Sequence, residues 1–401
     1  MTDAVLLLNT RPLAELMATG GQDLLDRGLA VHLVTHRFDL DGLEKHAFAG
    51  VQVVDLRDEE CVAQTARWLI REHSISRIVA PAEKFLSLAA LLRDEFGLAG
   101  IDHPTAERFR DKVLMKSVVA DAGITVPRYA EATDTSAVQG LLDETGPVVL
   151  KNRRGWGGNQ VTIVDCPARI PELVGRLGGV ADDYEVEEFV SGEMYHCDAV
   201  VTGGNVVFAT VSRYLSRPGD FRTNPYGGSV LIRDGAIRTS VLAANATVVG
   251  ALGLADGVTH LELFRRHEDL VFCEIAARPG GGWIDRYVLA AYGVDLFTTA
   301  VRLDAGLPVG PFPAADVVPP DEWACVGFYP RPGTVSAISQ DPGDRPGVVT
   351  SATRASAGQV LTAPRHCTDY VSKHLLTAPT SGSLHALIDS LDSGLLFVAD
   401  K

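Results

Sequence analysis

Hydrophobic and polar positions alternate between two patterns in the first 105 residues. Short apolar runs of strand length are separated by longer stretches in which apolar residues recur with the spacing of one helix face. This pattern predicts strands at residues 4–9, 30–35, 51–56 and 77–80, and helices at residues 13–27, 61–73 and 87–96. Strands that alternate with helices are typical of a parallel, doubly wound sheet. We therefore expect an N-terminal α/β domain over residues 1–105.

A helical pattern at residues 106–122 separates this domain from a region of short alternating strands. Glycine-containing turns punctuate the strands, and Gly203-Gly204-Asn205 predicts a tight hairpin. We expect the strands at residues 148–151, 160–164, 185–190, 196–201 and 206–211, and one helix at residues 240–252. The region predicts an α+β domain over residues 106–310.

Proline and glycine become frequent from about residue 311. One strand at 325–329 and one helix at 384–391 are expected there. We interpret residues 311–401 as a small C-terminal α+β domain, which makes the whole chain a multidomain protein of α/β and α+β class.

Composition and charge narrow the class of partner. The chain has 401 residues and a formal net charge of −15, which argues against nucleic acid or an anionic membrane surface as a main partner. Its apolar runs are too short to span a bilayer, and the N-terminus shows no secretory signal. The six cysteines have no CxxC spacing, which favours a reducing compartment. We therefore expect a cytoplasmic protein. Acidic multidomain proteins of this kind are most often enzymes.

The first strand-to-helix turn, at residues 9–12, reads Asn-Thr-Arg-Pro and lacks the GxGxxG fingerprint. This absence argues against a nicotinamide-dependent oxidoreductase.

A glycine-rich segment follows Lys151 and contains Gly155, Gly157 and Gly158. It lies between two predicted antiparallel strands, so it is not a P-loop, which needs a helix N-terminus behind the glycines. Its backbone N–H groups can still fold over phosphates, with Lys151 as a point charge. A flexible, solvated turn is the other interpretation, and the pattern leaves both open.

Two glutamates are expected to face one another. If the hairpin is centred near Glu268, Glu262 and Glu274 fall opposite each other on neighbouring strands. Opposed like charges are destabilising, and a magnesium ion between them would reverse the effect. Two solvated carboxylates are the alternative.

Arg278 and a glycine run follow the second glutamate. A guanidinium and the backbone N–H groups of Gly280 and Gly281, beside a metal pair, are suited to stabilise an anionic transition state.

An acidic strand ends near Val190. Its backbone can meet an adenine edge, while Glu187 and Glu193 can reach the exocyclic amine and the ribose. An ordinary acidic edge strand explains the same residues.

Taken in order, these motifs resemble the ATP-grasp superfamily over residues 1–310. The segments Val258-Thr259-His260-Leu261-Glu262 and Glu274-Ile275-Ala276-Ala277-Arg278-Pro279-Gly280-Gly281 are similar to the L-amino acid ligase and carnosine synthase branch.

The resemblance implies that ATP lies between two lobes, with one or two magnesium ions. It implies phosphate contacts from Lys112 and Lys151, a lid from Gly155 to Gly158, and adenine and ribose contacts from Glu187, Val190 and Glu193. Glu262 and Glu274 would hold the metal, and Arg278 would stabilise an acyl phosphate and a tetrahedral intermediate. Many relatives carry Asn where this chain has Ala276, which leaves the second magnesium open.

The function implied is ATP-dependent ligation of an amino acid carboxylate to an amine, with ADP and phosphate released, and the expected amine is that of another amino acid. Candidates for the substrate site are Arg213, Tyr214, His260 and Arg286, since arginine can grip a carboxylate bidentately. Each of these also fits an ordinary packing or surface role. The sequence does not determine the oligomeric state; relatives are often dimers, so the resemblance leaves a homodimer open.

Two alternatives remain. A biotin-carboxylase-like enzyme is expected to have a Gln-Val-Glu-His-like stretch after the arginine, where this chain has Pro279-Gly280-Gly281-Gly282. A non-catalytic ATP-binding protein would have no use for an arginine beside the metal pair.

Overall fold

The computed structural model describes residues 3–37, 40–144, 146–155, 157, 161–314, 317–335, 345–394 and 399–400. Its N-terminal part is built on a parallel sheet. The sheet has the order β3-β2-β1-β4 and consists of β1 (Ala4–Leu8), β2 (Ala30–Thr35), β3 (Gly50–Val53) and β4 (Arg77–Val79). Every pair in it is parallel, as predicted. All residues of β1 are buried, because helices cover both faces of the sheet.

The helix predicted at 13–27 is not continuous. It is divided into α1 (Leu13–Leu16), a π-helical turn (Met17–Gly21) and α2 (Gln22–Asp26). Gly20 has a φ of +112°, and a Cβ on it would lie 3.0 Å from the Cβ of Val301. The break therefore lets a later helix approach the backbone closely, which the local pattern could not reveal.

The helix predicted at 106–122 is also divided. The helices of this part are α3 (Glu59–His73), α4 (Leu86–Phe96), α5 (His103–Arg108) and α6 (Lys112–Asp121). The Asp111 side chain accepts hydrogen bonds from the backbone N–H groups of Val113 and Leu114, and so caps α6. The cap starts a new helix at Lys112, whose own N–H donates to the carbonyl of Arg153.

A small antiparallel sheet forms the next layer. Its order is β5-β8-β6-β7, from β5 (Tyr129–Glu131), β6 (Val148–Asn152), β7 (Val161–Val164) and β8 (Tyr184–Glu188). Two helices that the pattern did not predict, α7 (Thr135–Glu144) and α8 (Ile170–Leu177), pack on it through a core that includes Leu141 and Ile170. β6 and β7 form the predicted hairpin around the glycine-rich segment.

The remaining strands form one large antiparallel sheet and a short three-stranded one. In chain order they are β9 (Glu193–Thr202), β10 (Asn205–Tyr214), β11 (Tyr226–Leu231), β12 (Gly257–Arg266), β13 (Asp269–Ala276), β14 (Glu322–Phe328), β15 (Gly333–Val335), β16 (Val348–Thr353), β17 (Val360–Leu361), β18 (Ser372–Ala378) and β19 (Ala399–Asp400). The large sheet has the order β13-β12-β9-β10-β11-β14-β18-β16. Its last three strands come from the C-terminal region, so that region continues the central sheet.

The tight hairpin predicted at Gly203-Gly204 is confirmed. Thr202 pairs with Asn205, and both glycines have positive φ values, 55° and 76°. Two successive residues with positive φ are the requirement of this hairpin turn.

Helices cover the large sheet: α9 (Ala236–Leu252), α10 (Ile284–Tyr292), α11 (Leu296–Asp304) and α12 (Ser381–Gly394). α9 and α6 share the largest apolar core with β9 and β12. Within the described ranges, each helix is too short or too polar to cross a bilayer.

A buried ion pair joins the N-terminal sheet to α11. Arg93 is 1% exposed and donates to the carbonyl of Ile78 at 2.7 Å and to the carboxylate of Asp304 at 3.2 Å. The same carboxylate accepts from the backbone N–H of Ala80 at 2.9 Å. The pair therefore fixes the position of α11 against β4.

We predict that Arg93→Ala lowers the free energy of unfolding by about 3 kcal/mol, because it removes the charged partner of the Asp304 carboxylate. Arg67→Ala is the matched control, since Arg67 pairs with Glu95 where both side chains are about one-third exposed. The control should cost less than about 1 kcal/mol. Denaturant titration of both variants measures the difference, and equal losses would contradict the prediction.

Candidate active site

Glu262 and Glu274 are direct cross-strand partners on β12 and β13, as the position of the turn predicts. The register shifts immediately after this pair, where Leu263 pairs with Phe272. Both carboxylates line the same two cavities. Their opposition would be destabilising without compensating charge, so the neighbours of each glutamate decide what the site can do.

The first cavity, called here the lysine cavity, has a volume of about 510 Å³. It lies between the small sheet and the central sheet. Its lining includes the charged residues Lys112, Lys151, Glu187, Glu262 and Glu274 and the apolar residues Val149, Ile163, Phe189, Val190, Met194 and Phe264. An apolar slot that is continuous with cationic groups suits a ligand with a flat base and phosphates.

Lys112 connects the glutamate pair to the glycine-rich segment. Its ammonium lies 3.1 Å from Glu274 and donates to the carbonyl of Gly155 at 2.6 Å. Burial raises the pKa of Glu274, but Lys112 and then Lys151 more than offset this and lower it to about 2. Glu274 is therefore ionised at neutral pH and available as an oxygen ligand.

Lys151 belongs to a buried group of four charges. Its ammonium lies 2.6 Å from Glu187, and Lys116 lies 2.6 Å from Glu187 and 2.7 Å from Glu185. Burial would lower the pKa of Lys151, but Glu187 and Glu185 raise it above its ordinary value. Burial raises the pKa of Glu187, but Lys116 and Lys151 together lower it below its ordinary value.

The sequence motifs do not identify Lys116 as part of the site. It lies one helical turn after Lys112 on α6, so both ammonium groups project from one helix face. That spacing was the available signal. Nothing in the local pattern showed that this face of α6 turns towards β8.

The residues proposed to contact adenine and ribose are separated. Val190 and Glu187 line the lysine cavity, but the Glu187 carboxylate is already engaged by two lysines. Glu193 instead accepts from the hydroxyl of Tyr195 and from Arg213 at 3.0 Å. Among the described residues, neither Glu193 nor Arg213 belongs to the lining of either cavity.

The glycines have different neighbours. Gly155 lines the lysine cavity, whereas Gly157 lines the second cavity and accepts from the thiol of Cys367 at 3.3 Å. Gly158 lies outside the described residues. The role of the segment as a lid stays a prediction.

The second cavity, called here the arginine cavity, has a volume of about 470 Å³. Besides the two glutamates, its lining includes Arg11, Glu83, Tyr214, His260, Ala276, Arg278, Gly281, Phe297 and Tyr370. Arg286 is half-exposed and, in the described part of the chain, is not among the lining residues.

Glu83 holds Arg278 in place. The guanidinium donates to Glu83 at 2.7 Å and to the carbonyl of Pro279 at 2.9 Å. Burial would lower the pKa of Arg278, but Glu83 raises it, so the side chain keeps its charge. Glu83 also accepts a hydrogen bond from Arg110.

A buried hydrogen-bond network contacts Glu262 through Tyr214 and His260. The two carboxylate oxygens of Asp198 meet the Nδ1 atoms of His196 at 2.6 Å and His260 at 2.9 Å. His260 Nε2 lies 3.2 Å from the hydroxyl of Tyr214, and that hydroxyl donates to Glu262 at 2.5 Å. His260 and Tyr214, predicted as substrate contacts, thus contact Glu262.

His196, Asp198 and His260 are close enough together to share a cation, with ligand atoms within 4.8 Å. Their atoms are already used within the network, and His196 Nε2 lies 2.8 Å from the hydroxyl of Ser229. Burial would lower the pKa of His260, but Asp198 and Glu262 raise it to about 10. We interpret the three as a hydrogen-bonded support, with His196 and Asp198 on one face of β9 because they are two residues apart.

Gly280 lies against this network. A Cβ on it would lie 2.7 Å from Asp198 Oδ1 and 2.8 Å from His260 Nδ1. A glycine is therefore required for the loop after Arg278 to sit above the network, and Gly281 then faces the arginine cavity.

Comparison with known proteins places this site in a family context. Residues 109–298 match the RimK-like ATP-grasp domain. The chain is 24% identical to an L-arginine-specific L-amino acid ligase of Bacillus subtilis over 271 residues, which are 65% of this chain and 66% of that relative.

Two solved structures resemble the whole chain. An L-amino acid ligase from Bacillus licheniformis superposes with a TM-score of 0.78 at 19% identity, covering 100% of this chain and 99% of that one. The biotin carboxylase domain of a Hydrogenobacter thermophilus 2-oxoglutarate carboxylase, solved with MgADP and bicarbonate, gives a TM-score of 0.73 at 16% identity, covering 100% and 92%. The predicted ATP-grasp fold and the resemblance to the amino acid ligase branch are confirmed.

We predict that Tyr214→Phe weakens magnesium binding by roughly 10–100-fold, because Glu262 loses the donor that orients its carboxylate. Calorimetric titration of magnesium into the protein with a non-hydrolysable ATP analogue measures this without turnover. Tyr329→Phe is the matched control: Tyr329 lines the same cavity but donates to the carbonyl of Cys367. Equal magnesium affinity in the Tyr214 variant and wild type would contradict the prediction.

Proposed function

We propose that this chain, an ATP-grasp protein with a RimK-like ATP-grasp domain at residues 109–298, is an ATP-dependent carboxylate–amine ligase. It joins the carboxylate of one amino acid to an amine, that of a second amino acid, and releases ADP and phosphate. The name of the Bacillus subtilis relative supports the same class of reaction.

The position of the glutamate pair carries the proposal. Glu262 and Glu274 line both cavities, so the two cavities meet at these carboxylates. Lys112 and Lys151 lie on the side of the lysine cavity and Arg278 on the side of the arginine cavity. A phosphoryl group that moves from a nucleotide to a second substrate must cross such a junction, because donor and acceptor oxygens align on opposite sides of it.

The residues present fit ATP and magnesium. The apolar lining of the lysine cavity suits the base of a nucleotide, and the two buried lysines suit the phosphates of that nucleotide. Glu262 and Glu274 supply the hard oxygen ligands that magnesium prefers. When bound, the metal would neutralise charge on the phosphoryl oxygens. Ala276 stands where many relatives carry an asparagine ligand, so the site is consistent with one magnesium ion or with two.

The chemistry needs no enzyme nucleophile. A substrate carboxylate oxygen forms a bond to the γ-phosphorus as the bond to the β,γ-bridging oxygen breaks, which gives an acyl phosphate and ADP. The amine then forms the C–N bond, the C–O bond to phosphate breaks, and the amine loses a proton. Both steps build negative charge on oxygen atoms near Arg278 and the N–H of Gly281, so positioning and electrostatics supply most of the catalysis.

The carboxylase alternative shares the fold, since the biotin carboxylase domain superposes well. Likeness at 16% identity reports on fold alone. The Pro279-Gly280-Gly281-Gly282 sequence favours the ligase, and bicarbonate is the substrate that separates the two proposals.

We expect ADP release by the purified protein to require a pair of amino acids, with an amide-linked product of matching mass. Phosphate release across all pairs of standard amino acids, with mass detection, measures this. ADP release that depends on bicarbonate would replace the ligase with a carboxylase. Binding of ATP without turnover in every mixture would leave a nucleotide-binding protein.

We predict that Arg278→Ala lowers turnover by roughly 10²–10³-fold while nucleotide affinity stays nearly unchanged, because the guanidinium acts on the transferring group. Lys151→Ala should weaken nucleotide binding as well, since its charge meets phosphates in the ground state. Steady-state kinetics together with ATP-analogue binding separates the two patterns. Normal turnover of the Arg278 variant would contradict the assigned role.

A further inference from the structure

Arg11 enters the arginine cavity from the N-terminal sheet. It lies in the turn after β1, which the sequence marked only by its missing glycine fingerprint. Asn9, 2% exposed, holds this turn. Its Oδ1 accepts from the backbone N–H of Arg11 at 2.9 Å, and its Nδ2 donates to the carbonyl of Arg11 at 2.7 Å and to Thr35 at 3.0 Å. The backbone of Arg11 is therefore fixed in a short loop.

The guanidinium is oriented by an aromatic ring. Its central carbon lies 3.7 Å from the centroid of the Phe297 ring, on α11, and Phe297 also lines the arginine cavity. Stacking holds the plane of the group and leaves its N–H edges free to bind in that plane. In the described part of the chain one hydrogen bond uses this edge, to Glu15 at 3.2 Å.

The charge of Arg11 is incompletely compensated. Burial lowers its pKa below the ordinary value, and Glu15 and Asp285 only partly oppose this. Arg278 acts in the same direction as burial, so two guanidinium groups influence one cavity. An anion that enters the cavity beside Arg11 would relieve both effects.

The proposed reaction determines which anion remains. When two amino acids are joined, the carboxylate of the first becomes the acyl phosphate at the glutamate pair. The carboxylate of the second takes no part in bond formation and still needs a counterion. Arg278 donates to Glu83 and to the carbonyl of Pro279, and the proposed reaction assigns its remaining donors to the transferring group, whereas Arg11 donates one described hydrogen bond, to Glu15.

We propose that Arg11 binds the carboxylate of the amine-bearing substrate and restricts the acceptor to amines that carry a carboxylate. This inference rests on the proposed ligase function. Arg11 is then a specificity-determining residue, since a planar guanidinium matches a carboxylate in a bidentate manner.

The test compares acceptors that differ only in this charge. Each standard amino acid and its carboxamide is offered as acceptor with the donor identified in the pairwise screen, and kcat and KM are measured by product mass. Wild type should prefer the acid over the carboxamide by about tenfold or more. Arg11→Ala should raise KM for the acid by roughly 10–100-fold and change KM for the carboxamide less than about twofold, because only the acid makes the charged hydrogen bonds.

Arg57→Ala is the matched control, since Arg57 pairs with Asp55 on the same domain but is 86% exposed and outside the arginine cavity. It should retain the preference of wild type. Arg11→Lys, which keeps the charge without the fork, should retain part of the preference, and it serves if the alanine variant does not fold.

The outcomes separate the two proposals. An Arg11 variant that keeps the full preference, or a wild type that accepts acid and carboxamide equally, overturns this inference and leaves the ligase intact. Absence of any amide product from wild type overturns the ligase itself.

Discussion

The opposition of two carboxylates on neighbouring strands is the constraint on which the site depends. Glu262 and Glu274 pair directly across β12 and β13, a placement that costs free energy when it is uncompensated. Each glutamate therefore has its own support: Lys112 contacts Glu274, and Tyr214 and His260 approach Glu262. These three side chains come from α6, β10 and β12. Several separate elements must therefore pack together before the repulsion between the two carboxylates is offset. Two carboxylates that face one another are also a suitable position for a divalent cation.

Supports of this kind extend outward through buried polar groups. Asp198 holds His260 from β9, and Glu83, which follows β4, holds Arg278. Buried polar groups of this kind are stable only when their partners are all present, so they make the site sensitive to the packing of distant elements. The N-terminal α/β region thereby contributes to the candidate active site. It contributes Glu83 and Arg11 to the arginine cavity and is locked to α11 by Arg93 and Asp304.

The two cavities divide the proposed reaction. One provides apolar contacts and lysines for a nucleotide, and the other provides arginines for two substrates that carry carboxylates. The two cavities share Glu262 and Glu274, so the proposed transfer between them would take place beside these two carboxylates. Gly157 accepts a hydrogen bond from Cys367, so the glycine-rich segment contacts the C-terminal region beside the arginine cavity.

Local patterns in the sequence were sufficient for the parallel N-terminal sheet, the Gly203-Gly204 hairpin and the facing glutamates, because each depends on periodicity or on one short turn. The ATP-grasp fold followed from the order of such motifs. The sequence did not reveal the breaks at Gly20 and Asp111, nor Lys116, Asp198 and Arg11 as parts of the site. These depend on contacts between distant segments: Arg278 and Glu83 are 195 positions apart, and Arg93 and Asp304 are 211 apart. Periodicity reports which face of an element is apolar, whereas only the packed structure determines which charge a buried polar side chain meets.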